Sequence, residues 1–211
     1  MNSNISRATF SRLPLYLDYL KKISEKGEKV VSSTKIAKAL NLGEVQTRKD
    51  LNSVSGKGKP RTGYLTHELI KELEEILGEH NVSNAVVVGA GRLGLAMLSY
   101  EGFLKYGLKI VASFDNNIEV IKSQNSNKVL HISEFSGYVK QNKIKTGIIA
   151  VPRTAAQQVC ELMLENGIKA IWNFAPVSLE VPDDVLLFQE NLALSLAYLN
   201  YQLKVKDQNS D

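Results

Sequence analysis

The chain has 211 residues, enough for one large domain or two small ones that each bury a core, and the pattern of elements divides it in two. Its formal net charge of +4 is modest but unevenly spread: Lys and Arg crowd residues 7–61, while the segment after Thr66 is nearly balanced, so a polyanion is the expected partner of the front half. The single cysteine, Cys160, excludes an intramolecular disulfide, and without a leader-like segment or a membrane-length apolar run the expected location is the cytoplasm, with no membrane partner.

Ser11 is placed to cap a helix running to about Ile23, whose Leu13, Tyr16, Leu17 and Leu20 recur at helical spacing; Pro14 is tolerated in its first turn. After Gly27, Ser32 and Ser33 cap a second helix carrying Ile36, Ala37 and Leu40. Asn41-Leu42-Gly43 is a tight turn, and a third helix runs from Glu44 to about Asn52. Two short helices joined by a Gly-containing turn are the pattern of a helix-turn-helix, whose second helix enters the major groove. In that helix Val45 and Leu51 are expected to face the core, leaving Gln46, Arg48 and Lys49 free to meet base edges or phosphates. An Arg-Lys pair on a short helix is equally a solvated surface. The Gly-rich basic loop over 55–64, with Lys57, Lys59 and Arg61, adds the cationic wing that a minor-groove contact requires, the alternative being an ordinary hairpin. A helix over 66–77 with Leu69, Ile70, Leu73, Ile76 and Leu77 on one face closes this winged helix-turn-helix domain, read as 1–80. Neither His67, His80 nor His131 has a neighbour at ligand spacing, so no metal is expected.

Ala85-Val86-Val87-Val88 reads as a strand buried on both faces, and it stops at Gly89-Ala90-Gly91-Arg92-Leu93-Gly94. Gly89 permits the tight turn, Gly91 the approach of a pyrophosphate, and Gly94 close packing of helix on strand, while the helix that opens at Arg92 offers unpaired N–H groups to phosphate. A second strand over 109–114 ends in Asp115, about 20 residues past Gly94, where a ribose-binding acid belongs. A carboxylate accepts from ribose hydroxyls and repels a 2′-phosphate, and Asn116 and Asn117 supply no arginine, so NAD(H) is favoured over NADP(H). A strand over 147–151, a helix over 155–165 stopped by Gly167 and a strand over 170–174 continue the alternation of a doubly wound parallel sheet, a Rossmann-like α/β domain read as 81–188.

Hydride transfer would need a proton-moving group beside the nicotinamide. The sequence has no Tyr-x-x-x-Lys, His131 lies in a connection, and Cys160 shares an apolar helix face with Ala156, Val159 and Met163 as a buried thiol would. The dinucleotide is therefore expected to be bound and left unchanged, with no catalytic residue. Two other readings remain open: an NAD-dependent oxidoreductase with an appended helix-turn-helix, and a domain that binds CoA or a mononucleotide through the same Gly-rich turn. Beyond 188, Leu192, Leu194, Leu196, Leu199 and Leu203 with Ala193, Ala197, Tyr198 and Tyr201 form a helix apolar on nearly every side, which is expected to pack between two subunits over 189–211. A homodimer suits a helix-turn-helix reading a palindromic operator on double-stranded DNA.

Taken in order, Arg12-Leu13-Pro14-Leu15-Tyr16, Val45-Gln46-Thr47-Arg48-Lys49-Asp50-Leu51, the Gly89 to Gly94 turn, Phe114-Asp115, Val151-Pro152-Arg153-Thr154-Ala155-Ala156-Gln157 and Trp172-Asn173-Phe174-Ala175-Pro176 resemble the Rex redox-sensing transcriptional repressors over about 10–203. The resemblance implies a winged helix joined to a Rossmann domain, in a dimer that holds its operator free or with NAD⁺ and leaves it when NADH binds. It places Arg48 and Lys49 on the recognition helix, Asp115 at the ribose, Tyr100 near the nicotinamide, Val151 and Pro152 in a loop over the cofactor, and the final helix in an exchange between subunits. The chain departs from the family pattern before and within the wing, at Val54-Ser55 and Pro60-Arg61. It also carries Asp18 and Asn191 where the family has an Arg and an Asp that pair when NADH is bound, so that ion pair cannot form here, and either other contacts carry the sensing step or Asp18 and Asn191 keep a hydrogen bond.

Overall fold

The computed structural model describes residues 5–56, 58–59, 62–78, 81–123 and 128–208; Lys57, Pro60, Arg61 and His80 lie outside the described residues. Contacts divide the chain into two compact units, Met1–Val82 with Leu104–Gly107 and Ser83–Phe103 with Leu108–Asp211.

The first unit holds α1 (Arg7–Phe10), α2 (Leu13–Glu25), β1 (Val30–Val31), α3 (Ser33–Ala39), α4 (Glu44–Ser55), β2 (Tyr64–Leu65) and α5 (Thr66–Leu77). Ser11 does not cap α2. A separate helical turn precedes it, capped by Ser6, whose side chain accepts from the Thr9 N–H, and the Ser11 hydroxyl donates to the Ala8 carbonyl at that turn's end. Ser32 caps α3 as expected, accepting from the Lys35 N–H. Leu13, Tyr16, Leu17 and Leu20 of α2 pack with Ile36, Leu51, Leu69 and Leu73 in one core. The two short strands, unannounced in the sequence, pair antiparallel with Val30 opposite Leu65 and Val31 opposite Tyr64, and an isolated bridge joins Lys59 to Gly63 in the wing loop.

The expected orientation of α4 is partly wrong. Leu51 is fully buried, but Val45 is 58% exposed, and the face turned inward carries Thr47, Asp50 and Leu51. The stripe keeps helical spacing. It escapes an apolar reading because two of its members are polar, and the charge of Asp50 is tolerated inside because other side chains satisfy it.

The second unit contains β3 (Ser83–Val88), α6 (Arg92–Ser99), β4 (Leu108–Asp115), α7 (Ile118–Ser123), β5 (Val129–His131), α8 (Phe135–Gln141), β6 (Thr146–Ile149), α9 (Arg153–Glu165), β7 (Ala170–Asn173), β8 (Leu186–Gln189) and α10 (Leu192–Gln208). The strands form one parallel sheet in the order β5-β4-β3-β6-β7-β8. Residues of β3 alternate between two cores: Val86 and Val88 join Phe114 and Ile149 on one face, Ala85 and Val87 join Ile110 and Ile148 on the other. That period of two is why an unbroken apolar run makes a strand here. Chain direction of travel reverses between β3 and β6, the switch point at which such sheets open a crevice beyond their carboxyl ends.

Two expectations change in this unit. The strand read over 147–151 ends at Ile149, leaving Val151 and Pro152 in the connection to α9. His131 is no idle link residue. It ends β5 and caps the 3-10 turn Ile132–Glu134: its Nδ1 accepts from the Ser133 N–H, and the Glu134 carboxylate accepts from the His131 N–H.

Candidate dinucleotide and DNA sites

The Gly-rich turn shows why each glycine stands where it does. Gly89 has φ +106°, and a Cβ there would lie 2.4 Å from the Ala150 carbonyl oxygen; a Cβ at Gly94 would lie 1.8 Å from that of Gly89. At Gly91 an added Cβ meets nothing within 4 Å, so the chain leaves open the space that a phosphate needs. Gly91 is also the N-cap of α6 and brings no side chain to its first N–H groups, which remain available to an anion. Arg92 and Leu93 form the exposed first turn of that helix.

Asp115 ends β4 beside this turn. Its Oδ2 accepts from the Ala90 N–H at 2.7 Å and its Oδ1 from the Asn117 N–H at 2.9 Å. The carboxylate is thus aimed by backbone on both sides, with lone pairs left over for a diol. A cavity of about 690 Å³ opens here, lined by Gly89, Gly91, Asp115, Val151 and Pro152 of the expected set. The sequence reading missed its other wall: Ile132 after β5, and Ala155, Gln158, Val159 and Leu162 along α9. Those four helix positions keep the spacing of a core-facing stripe, so nothing local marks them as a ligand wall. Ala155, Val159 and Leu162 give this wall apolar patches that suit the flat face of a base, between Gln158 and the carboxylates of Glu161 and Glu165 that also line it. Tyr100 does not line the cavity. It is 62% exposed at the C-cap of α6 and starts a chain of edge-to-face or tilted rings through Phe103 and Trp172 to Phe174.

The β7–β8 region is fastened by Asn173, which is fully buried. Its Nδ2 donates to the Val177 carbonyl and to Gln189 Oε1, both at 2.9 Å, and its Oδ1 accepts from the Ala175 N–H. Glu190 then accepts from Trp172 Nε1 through its side chain and donates its own N–H to the Asn173 carbonyl. Asn191 caps α10, accepting from the Leu194 N–H at 3.0 Å. Cys160 is buried and free, its thiol pushed up by burial, as an inert structural cysteine would be.

On α4, Arg48 and Lys49 are exposed. Gln46 is exposed but not free, since its Nε2 donates to Asp50 Oδ1 at 2.8 Å. Asp50, 1% exposed, also accepts from Arg12 through two N–H groups at 2.6 and 2.9 Å, from the Tyr16 hydroxyl at 2.7 Å and from the Thr9 hydroxyl at 3.1 Å. Burial alone would raise the Asp50 carboxyl, but donation from Arg12, Tyr16, Gln46 and Thr9 outweighs it and holds the group below the ordinary carboxylate value. Burial, reinforced by donation to Asp50, pushes the Tyr16 phenol up, and the bond to Asp50 keeps the Arg12 guanidinium more firmly protonated. Lys59 is exposed in the wing loop, and the Tyr64 hydroxyl donates to Asn52 Oδ1, tying the ribbon to α4. Among the described residues no group of three or more His, Cys, Asp or Glu could hold a metal, and no helix is long and apolar enough to cross a membrane.

A helix-turn-helix unit followed by a parallel sheet with a glycine-lined, acid-flanked crevice defines a DNA-binding regulator of dinucleotide-responsive type. Residues 4–52 match the family profile described as "Putative DNA-binding protein N-terminus", and residues 80–177 match the profile "CoA binding domain". The redox-sensing transcriptional repressor Rex of Desulforamulus reducens is 39% identical, over 96% of this chain and 97% of its own. Among solved structures, the repressor RSP in complex with β-NAD⁺ and operator DNA has a TM-score of 0.85 at 34% identity, covering 99% of this chain and 96% of that one. RSP in complex with β-NADH has a TM-score of 0.79 at 33% identity, covering 99% and 98%. The chain belongs to the Rex family of redox-sensing transcriptional repressors.

Proposed function

We propose that this protein is a homodimeric repressor that reads the NADH/NAD⁺ ratio in the cytoplasm and leaves a palindromic operator when NADH binds. The observation that carries the reading is the Asp115 carboxylate, held by the Ala90 and Asn117 N–H groups at the mouth of an open Gly-rich turn, in a chain that matches a DNA-bound and an NADH-bound relative over nearly its whole length. In it the pyrophosphate lies on the turn formed by Gly89, Ala90, Gly91, Arg92, Leu93 and Gly94, the adenosine ribose on Asp115, and Val151 and Pro152 flank the cofactor. Tyr100 lies outside the walls of the cavity, and it is the nicotinamide end of the cofactor, extending beyond them, that would reach it. Gln46, Arg48 and Lys49 face the major groove, and Lys57, Lys59 and Arg61 belong to the wing. The cofactor is sensed and not turned over.

Release is a matter of linkage. NADH need only bind the arrangement that cannot hold DNA better than the one that can, and the operator must then weaken NADH by the same factor. The test is fluorescence anisotropy of a labelled operator selected from random DNA, challenged with NADH, NAD⁺ and NADPH. Release by NADH at concentrations where NADPH is inert supports the reading. Failure to select any DNA, or indifference of the complex to NADH, overturns it.

A further inference from the structure

Three side chains of α4 face solvent where a recognition helix would meet base edges, and Gln46 among them is held by a buried group of its own helix. Its Nε2 donates to Asp50 Oδ1, one turn on. Asp50 cannot itself reach a base, being 1% exposed. Its two oxygens take five donors: Arg12 Nε and the Tyr16 hydroxyl on Oδ2, and Arg12 Nη2, the Thr9 hydroxyl and Gln46 on Oδ1. A carboxylate offers about four lone-pair sites, so this one is saturated. It is held from α1, from the junction before α2 and from α2 itself, and cannot rotate without breaking bonds to several elements at once.

We propose that Asp50 is a positioning residue for sequence recognition: it fixes the Gln46 amide before DNA arrives, so that Gln46 Oε1 points to solvent as an acceptor for an exocyclic amine, that of adenine or cytosine, at one position of each half-site. This rests on the DNA-binding reading above. A free glutamine loses rotamer freedom when it docks on a base, and a glutamine already clamped has lost it in the unbound protein. A carboxamide of free orientation presents donor or acceptor to any base by turning over. Clamped through one of its two N–H groups it cannot turn over, so the oxygen stays an acceptor, and a base edge that offers only acceptors in the major groove, such as guanine, leaves that oxygen unpaired and is disfavoured.

The experiment measures affinity of the full-length protein for the selected operator and for a panel with each base pair of the half-site replaced in turn. Wild type, Gln46→Ala, Asp50→Asn and the double variant are compared. Wild type is expected to discriminate by about tenfold at the position Gln46 reads, the scale of one base contact. Gln46→Ala and Asp50→Asn each flatten that preference to within about twofold, the double variant adds nothing further, and preferences at the other positions persist. If Asp50→Asn fails to fold, ¹⁵N relaxation of the Gln46 side-chain amide in the unbound wild-type protein takes its place, because a clamped amide is as rigid as the helix backbone and an unclamped one is not. A loss of affinity equal at all positions, an unchanged preference in the Asp50 variant, or a freely moving Gln46 amide in the unbound protein overturns the proposal. So does a Gln46→Ala protein that keeps the wild-type pattern. Failure to select any operator with wild type strikes the DNA-binding reading instead, so the two failures are distinct.

Discussion

Two carboxylates carry much of this protein's chemistry at the scale of single residues, and only one was legible in the sequence. Asp115 stands at a fixed spacing from a Gly-rich turn, and that spacing follows from strand and helix lengths, so its place beside the turn could be read locally. Asp50 sits between Lys49 and Leu51 like any helix-surface acid, and its main partner, Arg12, is 38 positions away, with nothing local to announce the pair. Asp115→Ala is expected to lower NADH affinity by about ten- to a hundredfold, the worth of one or two hydrogen bonds to a charged acceptor, and to narrow the preference for NADH over NADPH. Calorimetric titration with both cofactors checks it; unchanged NADH affinity would remove the ribose role. The Asp50 cluster sets a pH dependence. Because its folded carboxyl lies below the unfolded value of about 4, its contribution to stability is complete above that value and is lost as pH falls through the lower, folded value. Tyr16 acts at the other end. Its folded pKa lies above the unfolded value of about 10, so folded protein holds the proton longer and stability declines as pH rises beyond that point. Tyr64 and Cys160 are pushed up by burial as well, so chemical denaturation from neutral to alkaline pH should show a decline in both wild type and Tyr16→Phe, steeper in wild type.

At the scale of elements, legibility followed burial. The strands β3, β4, β6 and β7 lie inside the sheet, buried on two faces, and each had an apolar run to show for it, whereas β5 has three residues and β8, at the other edge, exposes Leu186 and Phe188 to solvent. The inward face of α4 was misread for the opposite reason, since its buried residues include polar ones. The Gly-rich turn separates two uses of glycine and gives opposite expectations for two neighbouring substitutions. Gly94→Ala drives a methyl group to 1.8 Å from the Gly89 carbonyl oxygen and 3.2 Å from Val87 Cγ1, so helix α6 must lift from β3. That overpacking should cost about 1–3 kcal/mol, which for a chain of this size lowers Tm by roughly 2–10 °C. Gly91→Ala meets no protein atom within 4 Å, so Tm should hold, while NADH affinity falls because the methyl group occupies the approach of the phosphates. Thermal melts with and without NADH distinguish the two. For α4, Arg48→Ala should weaken operator binding by about 1–3 kcal/mol without shifting Tm, because the side chain is exposed and the helix packs through its other face.

For the molecule as a whole the decisive element is α10. Leu192, Leu194, Leu196, Tyr198, Leu199, Tyr201 and Leu203 are each 57–67% exposed, distributed around the helix with no apolar stripe to lay against its own sheet. Full burial of a side chain of this kind is worth about 1.5–3 kcal/mol, so seven of them left in water represent a large unmet driving force for association. In the proposed homodimer a second copy of the chain would meet it, because each copy offers the same helix and two helix-turn-helix units would then address the two halves of a palindrome. Asn191 opens this element with its amide oxygen accepting from the Leu194 N–H, so a hydrogen bond to Asp18 in place of the family's ion pair would have to come from its Nδ2. Immediately before α10, Trp172 donates to Glu190, Asn173 donates to Gln189, and the Glu190 N–H donates to the Asn173 carbonyl. Replacing Leu196 and Leu199 together by Glu places two charges on the apolar helix without disturbing its cap, and light scattering after gel filtration should then report half the wild-type mass. Operator affinity should fall by about a hundredfold or more, because the second half-site is no longer tethered to the first, while affinity for an isolated half-site stays near that of wild type. A variant that remains dimeric would move the interface away from α10, and a monomer that binds the full palindrome as tightly as wild type would show that association through this helix is not what operator recognition uses.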